Sequence, residues 1–84
     1  MKKGDLVRIW WVDAWECAGW RKHKRKKAKA YPTVGILVDE DDNYYYYGST
    51  PKEDGEWSGY GAIPKGMVVQ HYVIEESSPT WKKI

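Results

Sequence analysis

The chain has 84 residues, with fourteen Lys and Arg against twelve Asp and Glu, a single Cys, and thirteen aromatic side chains made up of six Trp and seven Tyr. This length accommodates one small domain and is too short for two, and only about 60–65% of the unfolded surface is buried at that size. One cysteine excludes an intrachain disulfide and fits a reducing compartment, and no stretch approaches the roughly 20 apolar residues that span a bilayer or the apolar core of a secretory leader, so a cytoplasmic protein without a membrane partner is expected.

Gly4 and Asp5 predict a turn, after which LVRIWWV over residues 6–12 is rich in β-branched and aromatic residues and predicts a strand with two largely apolar faces. Residues 13–30 carry no apolar stripe and predict a long loop or a short, weak helix. Within it lies RKHKRKKAK, residues 21–29, where seven of nine side chains are Arg or Lys. The formal net charge is only +2, so removing these seven cations leaves −5 on the rest of the chain. Mutual repulsion opposes tight packing of such a run, which predicts a mobile segment when no partner is bound.

TVGILV over residues 33–38 is the clearest strand, DEDDN over 39–43 a turn whose carboxylates repel, and YYYY over 44–47 the returning strand of a hairpin. Residues 48–61 are polar and Gly-rich and predict a long loop holding Trp57 and Tyr60. Ile63, Pro64, Lys65 and Gly66 predict a turn, and MVVQHYVI over residues 67–74 the closing strand. Four or five short strands joined by turns give an all-β fold, a small SH3-like barrel over residues 1–74 with a basic loop at 20–30, followed by a loosely ordered tail over 75–84. Strand alternation nominates Val7, Ile9, Val34, Ile36, Val38, Ile63, Val69 and Val73 for its core.

The segments GDLVRIWWVDAW, TVGILVDEDDNYYYY and IPKGMVVQHYVI together resemble small, mostly uncharacterised accessory proteins encoded by bacteriophages, with the Ile-Pro-Lys-Gly turn the most specific part. The resemblance covers about half the chain. It implies a compact SH3-like barrel and a viral accessory role in the host cytoplasm, with no defined activity, and the basic run falls where such proteins vary.

A dense cationic run suits a polyanion, because each phosphate contact releases condensed counterions. Arg21, Lys22, Lys24, Arg25, Lys26, Lys27 and Lys29 are therefore the candidate contacts to a DNA or RNA backbone, and Trp20 a ring on which an unpaired base can stack. Trp15 is a second stacking candidate. The alternatives are an acidic protein surface, a loop that only confers solubility, or pairing with the chain's own turn at 39–42. Trp15, Tyr45, Tyr47, Trp57 and Tyr60 are the candidates for a protein interface, including a homodimer or a viral inhibitor docking on a host factor.

His23, His71 and Cys17 do not make a zinc-ligand spacing, and Asp39 to Asp42 lack the alternation and central Gly of a calcium loop. No Gly-rich phosphate loop, and no serine with a base and an orienting group, is recognisable. The expectation is a non-enzymatic protein without metal or cofactor, binding nucleic acid with little sequence preference.

Overall fold

The computed structural model describes residues 1–13, 20, 22–23 and 29–77. Its strands are β1 (Leu6–Val12), β2 (Ala30–Glu40), β3 (Tyr44–Gly48), β4 (Thr50–Pro51), β5 (Trp57–Ser58), β6 (Gly61–Pro64) and β7 (Val68–Glu75), with one 3-10 turn at Lys65–Met67. The fold is all-β, with no α-helix among the described residues. Five strands form an antiparallel sheet in the order β6-β3-β2-β1-β7, and β4 pairs with β5 as a separate small ribbon. Four strands thus meander, and the last returns beside the first.

β2 is longer than its apolar segment predicts and runs through Pro32, which sits opposite Trp10 of β1. A proline weakens a central strand because it donates no hydrogen bond. Here β3 pairs with β2 only from Ile36 onward, so at Pro32 the strand is locally an edge and the missing donor faces no strand. The segment 48–61, expected as loop throughout, instead holds the β4–β5 ribbon, closed by the Gly55 N–H donating to the Lys52 carbonyl at 3.1 Å. Gly48 supports the indole of Trp57 from below. A Cβ there would stand 2.5 Å from Trp57 Cε3, so only glycine permits the approach.

The core is small. Val7, Ile9, Leu37 and Ile63 are fully buried, with Met1, Trp11, Tyr45, Tyr47 and Val68 packed around them. This corrects the expected set on two strands. Val7 lies opposite Gly35 and Ile9 opposite Thr33, so the odd-numbered positions of β2 turn inward. Leu37 takes the core position, Ile36 and Val38 are half-buried, and Val34 is 51% exposed. On β7, Val69 and Val73 are also exposed. β7 is an edge strand with register shifts against β1 on either side of its middle, and Val69 is the extra residue between the rungs Trp10–Gln70 and Trp11–Val68.

Asp5, missed as a structural residue by sequence reasoning, is buried and ties three parts of the chain together. Its carboxylate accepts the backbone N–H of Lys2 and of Ser77, each at 2.8 Å, while its carbonyl accepts from the Leu37 N–H at 2.9 Å. The preceding Gly4, at φ 94°, supplies the left-handed turn that brings these groups together. Ser77 is therefore held to the body of the domain, two residues beyond β7; the rest of the expected tail, 78–84, lies outside the described residues.

Candidate nucleic-acid interface

The basic run belongs to the connection between β1 and β2, whose last rung pairs Val12 with Ala30. That end of the hairpin is fastened by aromatic contacts. Trp11 donates its indole N–H to the Thr33 hydroxyl at 2.8 Å and packs against Tyr31, ring centroids 5.7 Å apart and tilted by 44°. Of the expected phosphate contacts, Lys22 and Lys29 are exposed, as is His23 between the cations. Trp20 is fully exposed, at 105% of its reference area. Arg21, Lys24, Arg25, Lys26 and Lys27, together with Trp15, lie outside the described residues, as does most of the segment expected to be mobile.

The acidic turn stands at the opposite end of β2. Ten residue steps separate Ala30 from Glu40, which at strand rise is about 33 Å. Instead of simple repulsion among four carboxylates, the turn shows local compensation. Lys3 Nζ lies 3.0 Å from Asp39, and Lys65 Nζ lies 3.3 Å from Glu40. Asp41 accepts the backbone N–H of Asn43 and Tyr44 at 2.8 and 2.7 Å, and the Tyr46 hydroxyl at 2.7 Å. Lys65, in the 3-10 turn, also donates its backbone N–H to the Asn43 carbonyl and lies 4.8 Å above the Tyr45 ring.

These contacts set the acidities. The Lys3 ammonium, helped by the Glu40 backbone N–H, holds the Asp39 carboxyl below its ordinary range, and the Tyr46 hydroxyl, with two turn N–H groups, does the same for Asp41. Asp5 is lowered by the N–H groups of Lys2 and Ser77, against the opposing effect of burial. Because it donates to an anionic Asp41, Tyr46 has its phenol pushed up to about 12.

The tyrosine strand divides as alternation requires, but not as an exposed Tyr45 and Tyr47 would need. Those two pack on the core, Tyr45 edge-on to His71 and Tyr47 against Gly61, where a Cβ would stand 2.5 Å from its hydroxyl. On the other face lie Tyr44, which is exposed, and Tyr46, which is half-buried. Tyr46 stacks on the expected interface residue Tyr60, centroids 6.3 Å apart and 12° from parallel, and Tyr60 is 56% exposed. Trp57 is half-buried against Gly48.

On the side of β1 away from the core, Arg8 is exposed between Val34 and Tyr72, and Trp10 lies between Pro32 and Gln70. This aromatic and cationic face was legible only as the second apolar face of β1. Among the described residues, no group of three or more His, Cys, Asp and Glu is placed to hold a metal ion, and no helix is long and apolar enough to cross a membrane. The chain matches no protein-family model, and no curated protein or solved structure is significantly similar to it.

Proposed function

We propose that this chain is an SH3-like barrel that binds nucleic acid with little sequence preference, its cations at 21–29 lying along the phosphate backbone. The observation that carries this reading is the separation of charge. The acidic turn, the obvious intramolecular counterion, sits a full strand length away from Ala30 and already has Lys3, Lys65, Tyr46 and its own N–H groups as partners. Seven cations in the segment that precedes Ala30 in sequence then gain most from a polyanion outside the molecule. The exposed Trp20 beside them adds a ring for an unpaired base.

The barrel assignment draws support from the meander β1, β2, β3, β6 followed by a 3-10 turn and a last strand paired with the first. A bacteriophage accessory role rests on the three resembling segments. The protein is read as a binding module without catalysis, acting in the host cytoplasm.

Reversing Lys24, Arg25, Lys26 and Lys27 to Glu changes the run from +7 to −1. Binding of labelled DNA and RNA oligonucleotides at low salt should be abolished, with an unchanged circular dichroism spectrum. For the parent, seven phosphate contacts predict a log–log salt slope of about −5 to −6. Parental affinity in the reversed variant, or no binding by the parent at low salt, would sink the electrostatic reading, and the second of these would favour a protein partner docking on exposed aromatic rings such as Tyr60.

A further inference from the structure

The sheet carries a second feature that the basic run does not use. On the outward side of β1, two neighbouring rows cross three strands: Val34, Arg8 and Tyr72, then Pro32, Trp10 and Gln70. Val34 is 51% and Tyr72 46% exposed, Arg8, Pro32 and Gln70 are exposed, and Trp10 is half-buried between its two neighbours. Arg8 is the only charge in either row. The flanking carboxylates stand outside them, Asp13 beyond the last rung and Glu75 opposite Leu6. Trp10 and Tyr72 are diagonal neighbours across β1 and β7, at about 7–8 Å.

We propose that this face binds single-stranded nucleic acid, with Trp10 and Tyr72 stacking on unpaired bases and Arg8 contacting the phosphate between them. The inference rests on the nucleic-acid reading above and names its ligand. A duplex keeps its base faces stacked inside, so only a single strand can offer them to two protein rings. Charge favours this occupant, because one cation set among neutral rings, with no carboxylate in either row, complements a phosphate flanked by bases. Continuity favours it as well. Both β1 and β2 lead from these rows into residues 13–29, the segment whose sequence carries the basic run.

The test is fluorescence anisotropy with one mixed-sequence oligonucleotide, offered as a single strand and as its duplex, in DNA and RNA. The parent should prefer the single strand. Tyr72→Ala should weaken single-strand binding roughly 5- to 150-fold, the range for one lost base stack, and leave the duplex unchanged, while Tyr72→Phe keeps parental affinity. Trp10→Ala should behave like Tyr72→Ala, with folding verified by circular dichroism; the exposed Tyr72 makes the test independent of that control. Arg8→Ala should make the salt slope shallower by about 0.7.

Equal affinity of the parent for both forms, or a Tyr72→Ala variant that binds single strands like the parent, overturns the proposal. If the quadruple reversal still abolishes binding in that case, the basic-run reading survives alone. If the reversal leaves affinity intact but Tyr72→Ala removes it, the basic-run reading fails and the sheet face is the binding site.

Discussion

Replacing Leu37 with Ala tests the inward face of β2 against the outward one. Leu37 is 1% exposed and is one of four buried apolar side chains among the described residues, so neighbouring groups have little freedom to fill the space it leaves. Such truncations cost about 2–5 kcal/mol. A domain of 84 residues has a total stability of about 4–13 kcal/mol, so the loss is a large share of it. The melting temperature should fall by about 10–30 °C. Val34→Ala, three positions earlier on the outward face and 51% exposed, should change stability by no more than about 0.5 kcal/mol. Ile36→Ala, at a half-buried position, falls between them. Urea unfolding followed by tryptophan fluorescence measures all three, and the midpoints should separate at a common slope. A Val34→Ala loss equal to or larger than that of Leu37→Ala would refute the assignment of odd-numbered β2 residues to the core.

Two further outcomes follow from the carboxylates. Asp5, Asp39 and Asp41 have folded-state pKa values below the ordinary 3.8, so their stabilising contribution is present above that value and is lost as the pH falls through the lowered range. Urea midpoints should be steady from neutral pH down to about 5 and then decline, and Asp5→Asn should be less stable at neutral pH with a shallower acid decline; an identical acid profile would show that the Lys2 and Ser77 contacts do not govern it. At the alkaline end, one tyrosine, Tyr46, should ionise near 12 in an ultraviolet absorbance titration, and Asp41→Asn should return it toward 10; a parent in which all tyrosines titrate together contradicts the Tyr46–Asp41 hydrogen bond.

The sequence by itself determined the all-β class and the grouping of charge, because both are written locally. β-Branched and aromatic runs bounded by Gly, Pro and acidic turns specify extended segments wherever they occur, and seven cations in nine residues remain a charge run in any fold. β1 appears where its residues predict and the closing strand within a residue of it, while β2 runs on through Glu40 and confines the expected 39–43 turn to 41–43. Which face of each strand meets the core was decided only by tertiary structure. TVGILV is apolar at nearly every position, so its alternation carries no phase, and the pairing of Val7 with Gly35 turned Leu37 inward and Ile36 partly outward. YYYY has the same degeneracy, resolved when Tyr47 settled over Gly61 and Tyr46 reached Asp41.

Asp5 was legible only as a turn residue, since its partners Lys2 and Ser77 lie at opposite ends of the chain and meet only when β7 returns beside β1. The two ends of the charge dipole were visible as runs of letters. The distance of the acidic turn from Ala30 along β2, and its local neutralisation by Lys3 and Lys65, depend on strand length and on contacts between residues distant in sequence, and those exist only in the folded sheet.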